Sequence, residues 1–415
     1  MKKLLVLGAS CNEVDVVKKA QTMGLYVIVT DSNTDWSISP AKYIANESWN
    51  ISWSDISALK EKCIENHVNG VIAGFSEFRV ENMIKLCEAI QTPCYINMKQ
   101  LDLTRDKAKF KDLCREYNLP VVREFKVDDE NIEFPVIVKP VDRAGSIGIN
   151  VAYNEEEYSK YLQQALDLSP SKNVIIEEFI HNGIKFDCLY YIHNSIVEYI
   201  GSSDTVMLQK EKGFETLQKA WSFPSHFEQE FLDKIDTKMK RMIAEGLGFK
   251  NGYGSVSCFY RNGEFYIFET GFRLSGGHSF DYQQASTGRN YLETMINHAL
   301  GERVSDEQPW HKGKKALIYN LYFNCNQGEI MQSLEGVEEL KSYSDIITFV
   351  QYAEKGFKFK GGPQKVIMCT IYTENLSEIQ ERVAFINEKV RLVTDCGTHA
   401  IYGTLKSEEI ETCWK

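Results

Sequence analysis

Three stretches of the 415-residue chain gather residue types that handle anions. The first, Phe134-Pro135-Val136-Ile137-Val138-Lys139-Pro140, is an apolar strand presenting a lysine, and it runs into Val141-Asp142-Arg143-Ala144-Gly145-Ser146-Ile147-Gly148. A lysine at the end of a buried strand is costly unless it meets an anion. Beside it, a loop with Gly145, Ser146 and Gly148 can wrap backbone N–H groups around phosphate oxygens. It is not a P-loop, because no G-K-[ST] opens a helix. The second stretch, Val174 to Ile180, closes a strand with Glu177 and Glu178, then Phe179 and Ile180. The third, Tyr266 to His278, delivers Glu269, then Arg273, then the turn Ser275-Gly276-Gly277. A carboxylate for a hard divalent cation, an arginine for a moving phosphate and open backbone amides together suit phosphoryl transfer.

Two further segments are weaker. Thr104-Arg105-Asp106-Lys107 opens a lysine-rich helix and by itself reads as a capped, solvated helix start, with Thr104 or Asp106 as the cap. Gly8-Ala9-Ser10 follows the first strand, but Asn12 and Glu13 stand where a dinucleotide fingerprint needs glycine. That segment reads as a tight strand–helix turn shaping one wall of a cleft.

These residues need a scaffold, and the pattern supplies one. Strands at Lys3–Leu7, Leu25–Thr30 and Gly70–Ala73 alternate with helices at Glu13–Met23, Ser57–Asn66 and Phe78–Ile90, which predicts a parallel sheet covered by helices. A helix over Asp106–Tyr117 follows, then strand, glycine loop, strand, a helix at Glu155–Leu166, and strand. Gly254–Tyr260 and Glu264–Glu269 form a predicted hairpin across Arg261-Asn262-Gly263. The last hundred residues give short strands and a helix at Ser377–Lys389. The expected units are 1–100, 101–192, 193–305 and 306–415, packed as one body.

Composition narrows the function classes. A formal net charge of −11 lacks the electrostatic footprint of a nucleic-acid binder. No stretch has the roughly 18 uninterrupted apolar residues of a membrane helix, and Leu4–Leu7 is too short for a signal segment. Eleven scattered cysteines without a C-x-x-C pair predict reduced thiols in a cytoplasmic protein.

With its motifs in this order, the chain resembles the ATP-grasp superfamily over nearly its whole length. It looks closest to L-amino-acid ligases and similar carboxylate–amine ligases, with biotin carboxylase and the ATP-grasp enzymes of purine synthesis as further relatives. The resemblance implies an α/β and α+β protein: an open parallel N-terminal domain, a lid, a central ATP-grasp unit and a small C-terminal α+β unit. It implies ATP with Mg²⁺, or Mn²⁺ in its place, and an acyl phosphate made from a small carboxylate and captured by an amine or thiol. Alternatives are use of bicarbonate, as in biotin carboxylase or carbamoyl phosphate synthase, and nucleotide binding without catalysis. Partners are small molecules and, as in many relatives, a second copy of the chain.

Position by position, the resemblance gives Lys107 and Lys139 to the ATP phosphates and Arg143, Gly145, Ser146 and Gly148 to a lid loop over them. Glu177 would meet the adenine amino group, with Glu178, Phe179 and Ile180 beside the ring and Asp187 at the ribose. Glu269 would hold the metal and Arg273 the γ-phosphate and acyl phosphate, making Arg273, Glu269 and Lys139 the catalytic set. Ser275, Gly276 and Gly277 would form a substrate-side anion pocket, with His278 as a pocket residue or base. Two positions depart from the family pattern. Gly271 stands where a metal-binding asparagine is usual, and Cys258 falls near the place of a second acidic ligand.

Overall fold

The computed structural model describes residues 1–129, 131–141, 148–180, 183–208, 217–304 and 313–414. Four sheets organise them. The N-terminal sheet is parallel, in the order Glu47–Trp49, Tyr26–Thr30, Lys3–Leu7, Gly70–Ile72. Its strands are buried on both faces, as parallel strands under helices must be. The helices Cys11–Thr22, Ile56–Glu65 and Glu77–Ile90 lie within two residues of their expected bounds. Gly8 links the first strand to its helix at φ +109°, and a Cβ there would meet the Arg79 guanidinium at 2.8 Å. Only glycine fits both demands.

A second, antiparallel sheet runs Glu124–Phe125, Val174–Glu178, Val136–Pro140, Asn150–Ala152, with the helix Glu155–Leu168 packed on it. Period-two alternation in Val136–Pro140 buries Val136 and Val138 and turns Ile137 and Lys139 to the other face.

The largest sheet has eight strands, in the order Glu264–Gly271, Gly252–Arg261, Ile184–His193, Ile196–Met207, Gln218–Phe223, Lys315–Cys325, Gly362–Thr373, Ile346–Gln351. It takes strands from both sides of the division expected at 305, and the strand Ile184–His193 spans the one expected at 192. The predicted hairpin turns at Asn262 and Gly263, both with positive φ, and its strands reach Arg261 and Gly271. A small sheet, Met331–Glu335 with Arg391–Thr394 and Gly397–His399, completes the C-terminal part, where the helix Leu376–Lys389 begins one residue before its expected start. Among the described residues, no helix is long and apolar enough to cross a membrane.

Candidate active site

Two helices meet before the lysine-rich segment. Asn97 and Gln100 form a capping box for Met98–Arg105, so Thr104 lies inside that helix. Asp106 is the cap of Lys107–Glu116, accepting from the amides of Ala108 and Lys109. This cap sets Lys107 on the first turn, facing a cleft of about 570 Å³ between the sheets. Burial pushes the Lys107 ammonium below its usual value, and the nearby Glu269 carboxylate partly restores it.

Lys139 enters the same cleft from its strand and stands 6.0 Å over the Phe268 ring. Behind it, Glu177 is 2% exposed and bound by Lys139 at 2.5 Å and by Lys111. This corrects the expected place of Glu177. Its carboxylate is held by two lysines and does not line the cleft, so it stands behind Lys139 and not at the cleft surface. Glu178 likewise turns away, to Arg261 at 2.7 Å, and Ile180 is buried. Phe179 does line the cleft, with its amide donating to Pro135 O at 3.0 Å. Arg143, Gly145 and Ser146 lie outside the described residues; Gly148, beside them, has φ +77°.

Glu269 owes its direction to a β-bulge. Ser257 pairs with Glu269 but Cys258 pairs with Ile267, so Phe268 is the extra residue, and both Phe268 and Glu269 turn into the cleft. Cys258 therefore corrects the alignment made from sequence. With Ile267 it lies fully buried on the opposite face, where burial pushes its thiol far up. Ser257 is the residue opposite Glu269, and Asp187 is opposite Ser257 on the next strand. Asp187 accepts from Ser257, from Lys185 at 2.7 Å and from Thr205 at 3.3 Å, so its carboxylate shares this row with Glu269. Among the described residues Glu269 forms no hydrogen bond and no close ion pair. An open carboxylate beside a hydroxyl and a second carboxylate is an all-oxygen donor set, which suits Mg²⁺.

Beyond the bulge, Arg273 donates to Glu77 at 2.7 Å. Burial raises the Glu77 carboxyl, but the Arg273 charge and hydrogen bond outweigh it and hold the group below the usual range. A Cβ at Gly271 would lie 3.5 Å from Glu77 Oε1, so the glutamate stands beside the place where an asparagine side chain would project. Glu77 begins a helix of the N-terminal unit, and Phe75 N donates to Leu274 O at 2.9 Å, which fastens that unit to the arginine loop.

Ser275, Gly276 and Gly277 line the far end of the cleft, and nothing lies within 4 Å of a Cβ placed on Gly276. His278 does not line it, which corrects its expected place. It is fully buried, stacked on Phe75 at 5.7 Å, with Nδ1 3.0 Å from Asp15 Oδ2 and Nε2 3.0 Å from Asn12 Oδ1. Asn12 is the residue that reaches the cleft, joined by Trp221, Tyr352 and Lys365. Asn12, Glu77, Lys111, Ser257, Tyr352 and Lys365 carried no signal that spacing could read. Each reaches the site through packing of elements distant in sequence.

The chain is similar to several known proteins. Residues 97–271 match the family model described as D-ala D-ala ligase C-terminus. A curated relative, the formate-dependent phosphoribosylglycinamide formyltransferase of Prochlorococcus marinus, is 27% identical over 199 residues, which are 45% of this chain and 50% of the relative. The chain thus spans about half the length of that relative. The L-amino acid ligase of Bacillus licheniformis superposes with a TM-score of 0.78 at 19% identity, covering 95% of this chain and 98% of that one. The biotin carboxylase domain of Hydrogenobacter thermophilus 2-oxoglutarate carboxylase, solved with MgADP and bicarbonate, gives 0.78 at 16%, covering 94% and 92%.

Proposed function

We propose that this chain, an ATP-grasp protein, is an Mg·ATP-dependent ligase that activates a small carboxylate as its acyl phosphate and joins it to an amine. The observation that supports this best is the convergence in one cleft of Lys107, Lys139 and Arg273 with the open carboxylate of Glu269. Asn12, Ser275 and Gly276 line the same cleft.

A carboxylate is a poor electrophile at neutral pH. Attack of its oxygen on the γ-phosphorus breaks the bond to the β–γ bridging oxygen and releases ADP. The amine nitrogen then adds to the carbonyl carbon, phosphate leaves with the C–O electron pair, and the nitrogen loses a proton. Lys107 and Lys139 hold phosphate oxygens, and Arg273 balances the charge that spreads over the moving group. The Gly276 amide would face the carbonyl side, while the Gly277 amide is held by Ser275 Oγ at 3.1 Å. Glu269 would hold a divalent cation, with Ser257 and Asp187 beside it, and that ion supplies charge neutralisation at the phosphates. Phe179 packs against the base.

The test is ADP release from Mg·ATP with pooled L-amino acids and small carboxylates, products read by mass spectrometry. The expected result is a mass equal to two substrates minus water, lost in Arg273→Ala. Bicarbonate-dependent release would reassign the carboxylate. No ADP from any pool, despite nucleotide binding, would overturn the ligase reading.

A further inference from the structure

The charged residues that line the cleft fall into two electrostatic groups. At the phosphate end, cations are already paired: Lys139 with Glu177, Arg273 with Glu77, Lys185 with Asp187. Lys107 feels Glu269, Lys139, Glu177 and Glu77. Lys365 belongs to neither pairing nor place. It reaches the cleft from the strand Gly362–Thr373, on the wall formed by the C-terminal part.

Among the described residues, no carboxylate lies within ion-pair distance of Lys365. Its ammonium stands 4.2 Å over the Tyr352 ring. The Cys11 thiol acts on Lys365, but burial pushes that thiol up to about 12, so it stays neutral. Burial also brings Lys365 down to about 8, as expected for an ammonium whose counter-charge is missing.

The backbone is built to aim it. Leu321 pairs with Ile367 but Tyr322 pairs with Lys365, which leaves Val366 as a bulged residue. Val366 O accepts from Tyr352 N at 2.8 Å, and Tyr352 Oη donates to Gly276 O at 3.4 Å. Bulge, tyrosine and glycine turn thus hold the lysine on the cleft wall beside Gly276.

We propose that Lys365 anchors an anionic group on the nucleophile, so that the amine substrate carries a carboxylate or a phosphate monoester. This rests on the ligase reading for its substrate but not for its charge. An ammonium without a carboxylate partner among the described residues selects ligands that bring one, and it disfavours neutral analogues. Tyr352, Asn12 and the Gly276 amide then fix the orientation of the bound amine.

The experiment compares the wild type, Lys365→Met and Lys365→Arg against L-amino acids, their neutral amides, and O-phosphoethanolamine. In turnover, the methionine variant should raise KM for the anionic amine about 10- to 100-fold. Its kcat and its KM for ATP should stay within about twofold, and the arginine variant should recover most of the loss. Use of amino acids over amides identifies the carboxylate; preference for O-phosphoethanolamine identifies the phosphate. Equal use of amides, or an unchanged KM in Lys365→Met, overturns the proposal. Thermal stabilisation by the same compounds is read in parallel. If the wild type releases no ADP, the ligase reading fails alone provided an anionic amine still stabilises it and not Lys365→Met. Failure of every anionic amine to stabilise the wild type overturns the anchor itself.

Discussion

Replacing Glu177 by glutamine probes how this site holds its charge. Glu177 is 2% exposed between Lys139, 4% exposed, and the fully buried Lys111. Lys111 keeps a second carboxylate, Glu124, whereas Glu177 is the one carboxylate paired with Lys139 among the described residues. The amide keeps the volume and one acceptor oxygen but removes the charge. Breaking a buried ion pair costs about 3–5 kcal/mol, and the retained acceptor puts the loss near the lower end, about 3 kcal/mol. That loss applies to the nucleotide-free protein. A phosphate at Lys139 would restore the missing negative charge, so saturating Mg·ATP should stabilise Glu177→Gln more than the wild type. The pH dependence has a definite sign. Burial raises the Glu177 carboxyl, but Lys139 and Lys111 outweigh it and hold the group below its ordinary value. Its contribution is present above the unfolded carboxylate value and is lost as pH falls through the depressed native one. The gap between wild type and variant should therefore be steady near neutrality and close in acid. Urea unfolding followed by circular dichroism, with and without Mg·ATP, reads all of this. A nucleotide-free variant within about 1 kcal/mol of the wild type would refute the buried charged triad. Equal losses with and without nucleotide would refute the contact between Lys139 and phosphate.

Ser257→Asp should set a carboxylate between Asp187 and Glu269 and tighten Mn²⁺ binding about tenfold by calorimetry, whereas Cys258→Asp buries one on the core face and should cost about 2–7 kcal/mol in unfolding. Unchanged metal affinity in the first, or normal stability in the second, would show that the bulge does not set these faces. Burial, aided by Asp15, raises Asp281 to about 6 against the hydrogen bond from Thr348 and the His278 charge. The native state then binds more protons than the unfolded one between about pH 4 and 6, so stability falls as pH rises through that window, by on the order of 2–3 kcal/mol. Asp281→Asn should abolish that fall in scanning calorimetry, leaving the variant more stable than the wild type above pH 6 and equal to it near pH 4.

What sequence could read here was local. Helices such as Glu77–Ile90 and Glu155–Leu168 followed from apolar spacing and caps, because 3.6-residue periodicity is written within one turn of its neighbours. Lys107, Lys139, Glu269 and Arg273 were readable because each sits at the end of an element whose own pattern marks it. The eight-stranded sheet was not, since Ile184–His193 pairs with Gly252–Arg261 across a long stretch of chain. The bulge at Phe268 was equally hidden. One extra residue in a strand leaves the hydrophobic pattern nearly intact while reversing the face of everything past it, which is why Cys258 stood in for Ser257. His278 misled for the opposite reason: a histidine after two glycines looks exposed, and only the packed Phe75 and Asn12 bury it.

The pairing pattern also says how ligands enter. Lys139, Arg273 and Lys185 each hold a carboxylate of the protein, so the fold tolerates these cations in the cleft. On the proposed reading, a phosphate arriving there would share or displace Glu177 or Glu77, and part of its binding energy would be offset by that exchange. Glu269 and Lys365 differ. Each is an ionisable group lining the cleft without a close ion-pair partner among the described residues, one negative and one positive. A cation at the first and an anion at the second add charge without displacing any. Ligands that complete those two positions should therefore act together on the proposed reading: Glu269 would hold the cation that neutralises the phosphates, Lys365 would seat the nucleophile, and Arg273 would meet the reacting carboxylate.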